Sequence, residues 1–176
     1  MSEVYDVVII GSGAAGMNVA IYNARAGLKV AIIERGLYGG VIQDTAFVNN
    51  YLGFESISGA ELSEKMHNHM LDYDIDEIYG DVKSVDRDID SNIFSINLRK
   101  KVIKSKTVVV ATGVKHRKLG IEGEGDYMGM GISNCANCDG HFFKGKDIVV
   151  IGAGYSAFEE GSYLSNIANK VTLIYH

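Results

Sequence analysis

Apolar positions along the chain fall into two versions of one pattern. Asp6-Val7-Val8-Ile9-Ile10-Gly11-Ser12-Gly13 is an unbroken apolar run closed by glycines, and Lys29-Val30-Ala31-Ile32-Ile33 is a second run, with helically spaced apolar residues between them. A strand covered on both faces shows continuous β-branched residues rather than alternation, so each run reads as a buried parallel strand. The segment predicts strand, glycine turn, helix and strand: a βαβ unit. The same pattern returns without a gap at an offset of 141, as Asp147-Ile148-Val149-Val150-Ile151-Gly152-Ala153-Gly154 and then Lys170-Val171-Thr172-Leu173-Ile174. Two copies at so long a period are two half-folds of one kind, not an array of short repeats.

Between the copies, Ser58-Gly59-Ala60-Glu61 is a capping box that opens a helix through about Leu71. Strand-like stretches follow at Ile75–Val82, Ile93–Leu98, Lys101–Lys104 and Thr107–Thr112, separated by Asp, Ser and Asn turns. The acidic run from Asp86 to Asp90 reads as a solvated turn. The glycine-rich segment 114–126 reads as a connector. The pattern predicts an α/β protein with two Rossmann-like lobes, residues 1–114 and 115–176, the second holding only one βαβ unit. A parallel sheet of two strands leaves apolar faces and an open edge, so that lobe is expected to need a cover.

Gly11, Gly13 and Gly16 form G-x-G-x-x-G between strand and helix. The spacing supplies a tight turn, close approach of backbone N–H groups to a pyrophosphate, and tight helix–strand packing, with the helix N-terminus as an anion site. Glu34 ends the second strand, where a carboxylate can accept hydrogen bonds from a ribose diol. The second copy keeps Gly152 and Gly154 and has Ala157 at the third position, a replacement the fingerprint allows. Where the first copy has Glu34, the second has Tyr175 and then His176. Without a carboxylate there, NADP is favoured over NAD.

Cys135 and Cys138 are the two cysteines of the chain, followed by Asp139. If Cys135 opens a short helix, its partner lies one turn away, within disulfide reach, and Asp139 supplies a proton donor or acceptor. A zinc site built on Cys135, Cys138 and His141 would need a fourth ligand from His67, His69, His116, His176 or a carboxylate. Two inert buried cysteines are the third reading. A redox dithiol is preferred.

Composition changes the picture in one respect. The chain of 176 residues has no proline, where a frequency of roughly 5% would give about nine. A net charge of −5 without a Lys/Arg cluster speaks against nucleic acid or anionic membrane as partners. The opening Met-Ser-Glu-Val-Tyr-Asp lacks a secretory pattern, and no apolar run reaches the roughly 18 residues of a span, so a cytoplasmic location is expected.

Gly11-x-Gly13-x-x-Gly16 with Glu34, Gly39-Gly40, Asn50-Tyr51, Ala111-Thr112-Gly113, Cys135-Ala136-Asn137-Cys138-Asp139-Gly140 and Gly152-x-Gly154-x-x-Ala157, taken in order, closely resemble low-molecular-weight thioredoxin reductases. That family consists of homodimeric flavoproteins that pass electrons from NADPH through FAD to a dithiol and on to thioredoxin. The resemblance implies that Gly11, Ser12, Gly13, Ala15 and Gly16 cradle the FAD pyrophosphate and that Glu34, with Arg35 beside it, serves the adenosine ribose. Gly40, Asn50, Val82, Ala111, Thr112 and Gly113 would line the rest of the FAD site. Cys138 would face flavin C4a, Cys135 would attack the thioredoxin disulfide, and Asp139 would be the acid/base. Gly152, Gly154, Ser156, Ala157 and Glu160 would belong to the NADPH site.

Ala14, Tyr38, Leu52, His116 and Glu122 stand where family members commonly carry proline, which predicts a looser cofactor cradle. Val41 and Asp44 replace a usual glutamine and asparagine near the isoalloxazine, and Tyr155 a usual Asp or Asn. Members of the family are nearly twice as long, so the chain reads as C-terminally truncated. The second reading is a catalytically silent fragment that binds an adenine nucleotide, or one half of a split reductase.

Overall fold

The computed structural model describes residues 4–115 and 117–175. The opening residues 1–3, read above for a secretory signal, together with His116 and His176, lie outside the described residues. The chain groups into two compact units, Met1–Lys115 and His116–His176.

The first unit is α/β and contains β1 (Val4–Ile10), α1 (Ala14–Arg25), β2 (Val30–Glu34), α2 (Gly59–Leu71), β3 (Ile75–Tyr79), β4 (Val82–Arg87), β5 (Phe94–Leu98) and β6 (Val102–Val110). The sheet order is β3-β2-β1-β6-β5-β4. The first four strands are parallel, and β5 and β4 run antiparallel. The continuous apolar runs are the central strands β1 and β2, and successive side chains serve opposite faces. Val7, Ile9, Val30 and Ile32 pack with Met17, Ala20 and Ile21 of α1 and Met70 of α2. Val8, Ala31, Ile33 and Ile78 pack with Ile96 and its neighbours Phe94, Leu98 and Ile103. Helices cover one face of the parallel strands and the antiparallel meander covers the other.

The capping box forms as expected: Glu61 N donates to Ser58 Oγ at 3.1 Å, and α2 runs to Leu71. Strand boundaries differ in three places. The expected strand Ile75–Val82 stops at Tyr79, where Gly80 N turns to donate to Glu34 O at 2.8 Å. Val82 instead starts β4, an exposed edge strand whose polar sequence Val-Lys-Ser-Val-Asp-Arg hid it; Asp86 belongs to it, and the acidic turn begins at Asp88. The expected strands Lys101–Lys104 and Thr107–Thr112 are one strand, β6. The polar break between them vanishes because Ser105, fully buried, donates its hydroxyl to Thr107 O at 2.7 Å.

The second unit holds α3 (Ala136–Asp139), β7 (Asp147–Ile151), α4 (Tyr155–Ser165) and β8 (Lys170–Ile174), with β7 and β8 a two-stranded parallel sheet. The repeat seen in the sequence is repeated in register. Val7 pairs with Val30 as Ile148 pairs with Val171, and Gly11 N donates to Ile33 O at 2.8 Å as Gly152 N donates to Ile174 O at 2.9 Å. Val149, Ile151 and Ile174 are about half exposed within this unit. No helix among the described residues is long and apolar enough to cross a membrane.

Candidate functional site

In the first unit the β1–α1 turn needs two of its three glycines for conformation and packing, and the third for neither. Gly11 has φ +104°, and a side chain there would strike the carbonyl of Ala111; Gly16 packs so closely that a Cβ would overlap the carbonyl oxygen of Gly11. Gly13 is different. Its φ of −71° and ψ of 177° are open to any residue, and an added Cβ would meet nothing within 4 Å. The fold does not require glycine at this position, and the space beside it is where a pyrophosphate would lie. Gly13 is the N-cap of α1, with no capping side chain and no acid in the first turn, so the positive end of the helix dipole is not already neutralised.

Around this turn the structure gathers most of the expected residues. Gly39 N donates to Ser12 O at 2.8 Å, which lays the Gly39-Gly40 loop beside Gly13, and a Cβ on Gly40 would come within 3.4 Å of Gly13 Cα. Ala111 N donates to Ile10 O at 2.9 Å, and Thr112 and Gly113 follow at the end of β6. Ala15 is exposed in the first turn of α1. Asn50 sits in the exposed loop before α2, with no hydrogen bond to this turn. Val82 packs into the core beneath the meander. Under the Gly39-Gly40 loop, the buried atoms Ser63 Oγ and Gln43 Oε1 have no hydrogen-bond partner among the described residues, as expected of groups next to a site that takes a polar ligand or water.

Glu34 is more engaged than a residue reserved for a ribose. Its Oε2 accepts from Ser12 N at 2.8 Å and Ser12 Oγ at 3.0 Å, and its Oε1 from Arg35 N and Gly36 N, both at 2.8 Å. Burial pushes this carboxyl up, but the bonds from Ser12, Gly36 and Arg35 outweigh it and hold it below its ordinary value of 4.5. Glu34 therefore braces the glycine turn as well as facing a cleft of about 270 Å³ lined by Ser12, Gly36, Tyr38, His67, Glu77 and Tyr79. Sequence reasoning missed Glu77 and the role of His67. The Tyr38 ring stacks on His67 at 3.9 Å and 6°, and His67 Nε2 lies 2.7 Å from Glu77 Oε1. Tyr38 stands where a proline was expected, so this stack supplies part of the loop restraint that the missing ring would have given.

In the second unit Cys135 and Cys138 form a disulfide with a Cα–Cα distance of 5.3 Å. Cys135 caps the four-residue α3, and Cys138 N donates to Cys135 Sγ at 3.2 Å. Cys135 is half-buried and Cys138 exposed, so the reading as two inert buried cysteines fails, and the disulfide ties up both sulfurs that a zinc site would need. Gly140 ends the motif for a packing reason: a Cβ there would press on Leu164, Ile167 and Tyr163 at 3.1–3.2 Å. Asp139 Oδ2 accepts from Ser133 Oγ at 2.6 Å, and Ser133 Oγ accepts from Cys135 N at 3.0 Å. Ser133 was not singled out from the sequence; the available signal was a serine two residues before a helix cap, where short side-chain-to-backbone bonds are common.

The second glycine turn repeats the logic of the first. Gly154, φ −81°, is the N-cap of α4 and has open space where a Cβ would go. Gly152 has φ +145° and lies against the Ala157 methyl, 3.2 Å from where its own Cβ would be, a wider turn that admits alanine at the third position. Ser156 is exposed and Glu160 half-buried on α4.

A profile of the pyridine nucleotide-disulphide oxidoreductases matches residues 5–176. The chain belongs to that family. It is 47% identical over 178 residues to a thioredoxin reductase of Bacillus subtilis, covering 99% of this chain and 55% of that protein, and 47% identical to one of Listeria innocua, covering 98% and 54%. The crystal structure of thioredoxin reductase from Streptococcus pyogenes superposes with a TM-score of 0.91 at 43% identity, covering 98% of this chain and 56% of that one. The chain thus spans about half the length of the relatives it matches.

Proposed function

We propose that this chain carries the FAD cradle and the redox dithiol of a thioredoxin reductase, taking electrons from NADPH and delivering them to the disulfide of thioredoxin or a similar protein. The observation that carries the reading is Gly13: a glycine that the fold does not need, beside open space, on an uncapped helix N-terminus. Gly11, Ser12, Gly13, Ala15 and Gly16 would hold the pyrophosphate. Glu34 and Arg35 would sit at the ribose, and Gly40, Asn50, Val82, Ala111, Thr112 and Gly113 along the remainder. Gly152, Gly154, Ser156, Ala157 and Glu160 would hold the pyridine nucleotide, with Tyr175 in place of an acid favouring NADPH. Bound FAD would supply the conversion of a hydride into electrons that a disulfide can take.

The chain's own residues then carry the thiol chemistry. Two electrons and two protons open the Cys135–Cys138 bond. Asp139 takes the Cys135 thiol proton, and the thiolate attacks the partner disulfide, forming a mixed disulfide and expelling a partner thiolate that takes that proton back from Asp139. Attack by the Cys138 thiolate on Cys135 Sγ re-forms the internal disulfide and releases the second partner thiol. A homodimer in the cytoplasm is part of the same reading.

A visible absorbance scan of the chain after reconstitution with FAD tests it. Flavin bands near about 380 and 450 nm that stay with the protein through gel filtration are expected, and Cys138→Ser should alter them more than Cys135→Ser. The half-exposed sheet of the second unit favours a second reading, a catalytically silent fragment that binds an adenine nucleotide, in which any flavin bands would not respond to NADPH. A colourless protein overturns the flavoenzyme reading.

A further inference from the structure

We infer that Ser133 is the positioning residue of the dithiol site, fixing the Asp139 carboxylate relative to the cysteine pair. The inference rests on the acid/base role proposed for Asp139. The Ser133 hydroxyl oxygen accepts Cys135 N–H at 3.0 Å, and its proton has two acceptors in reach, Asp139 Oδ2 at 2.6 Å and Cys135 O at 3.3 Å, of which the much shorter bond to Asp139 is the better one. One side chain therefore joins the backbone of the first cysteine to the carboxylate beside the second. A separation of 2.6 Å is that of a charge-assisted O–H···O⁻ bond. Asp139 N also donates to Cys135 O at 3.1 Å, so backbone and side chain of Asp139 are both tied to the start of α3.

The consequence is a division of labour between the two carboxylate oxygens. Oδ2 is committed to Ser133, and Oδ1 has no hydrogen bond among the described residues, so it is the oxygen left to accept a proton from a cysteine thiol or return one to a departing thiolate. The titratable groups on the elements packed against α3 are Tyr155, Glu159, Glu160 and Tyr163 of α4 and His141 and Lys144 around the following turn. None of these is hydrogen-bonded to Asp139, which leaves Ser133 as its side-chain partner among the described residues.

The test needs neither FAD nor NADPH. The chain is reduced with dithiothreitol, which supplies the two electrons and two protons, freed of reductant, and alkylated with iodoacetamide from pH 5 to 9, with Cys135 and Cys138 followed separately by peptide mass spectrometry. For Ser133→Ala, the rate at one or both cysteines near neutral pH should change by about threefold to tenfold, the size of one ordinary hydrogen bond. The altered pH profile should resemble that of Asp139→Asn, and Ser133→Thr, which keeps the hydroxyl, should restore the original one. A wild-type profile for Ser133→Ala beside a changed one for Asp139→Asn overturns the inference alone. Equal changes in the Ala and Thr variants also overturn it, since the hydroxyl would then not be what matters. Unchanged profiles in every variant overturn both the inference and the acid/base role of Asp139.

Discussion

Replacing Gly13 and Gly16 with alanine, one at a time, should separate binding from folding. At Gly13 the backbone is in a region open to alanine and the methyl meets nothing within 4 Å. Alanine also restricts the unfolded chain, which stabilises by about 0.4–1 kcal/mol where no strain results. Gly13 is also the N-cap of α1, where alanine is less favourable than glycine by a similar amount, so the unfolding free energy of Gly13→Ala should stay within about 1 kcal/mol of the wild type. If the pyrophosphate lies where proposed, the same methyl would stand in its approach to the first turn of α1. Loss of two backbone bonds to a charged group, at about 1.5 kcal/mol or more each, predicts at least a hundredfold weaker FAD binding. At Gly16 the methyl overlaps the carbonyl oxygen of Gly11 and comes within 3.1 Å of its carbon. Neither backbone can yield easily, so Gly16→Ala should destabilise by about 3 kcal/mol. Urea unfolding followed by circular dichroism gives the first quantity, and FAD titration by flavin fluorescence the second. Wild-type FAD affinity in a stable Gly13→Ala protein would refute the placement of the pyrophosphate, and an undiminished stability for Gly16→Ala would refute the packing.

Glu34 is held below its ordinary value of 4.5 in the folded chain, so it stabilises the fold above that pH, and the contribution fades as pH falls from 4.5 through the lowered value. Denaturant midpoints measured from pH 7 to 3 should show a smaller acid loss in Glu34→Gln, and parallel curves would contradict the bracing role. Tyr38→Ala should weaken FAD binding and cost about 0.5–1.5 kcal/mol from the lost stack on His67, whereas Tyr38→Phe should do neither; equal effects of the two in the same titrations would contradict the stack. Ala14 is the first residue of α1 after an extended Gly13, a position where proline is welcome. Ala14→Pro should raise thermal stability by roughly 0.4–1 kcal/mol, and a lower melting temperature would show that its N–H is needed.

Much of the first unit could be read in the chain, because its central strands are buried on both faces and the repeat supplies its own check. The Ser58 cap and the Gly11, Gly13 and Gly16 turn depend on local chemistry and stand where the sequence places them. The edge strand β4 was illegible for the opposite reason: Val82–Arg87 is exposed and polar, and its pairing with β5 is a tertiary fact. Ser105 misled because a buried serine satisfied within its own strand looks like a turn residue. At the candidate sites, residue types were legible and partnerships were not. Glu34 announced a ribose contact but not its bonds to Ser12 and Gly36, and Asp139 announced acid/base chemistry but not its bond to Ser133. The absent prolines predicted a loosened loop, and only the structure brings His67, from α2, under the ring of Tyr38.

In the proposed function, electrons from NADPH would reach the Cys135–Cys138 disulfide by way of bound FAD. The most direct measurement is an anaerobic thiol count on the chain loaded with FAD and then mixed with NADPH, followed by alkylation and mass analysis. Two new thiols per chain are expected, at Cys135 and Cys138, with none appearing when FAD is omitted. Retention of the intact disulfide in the FAD-loaded chain after excess NADPH would contradict that function.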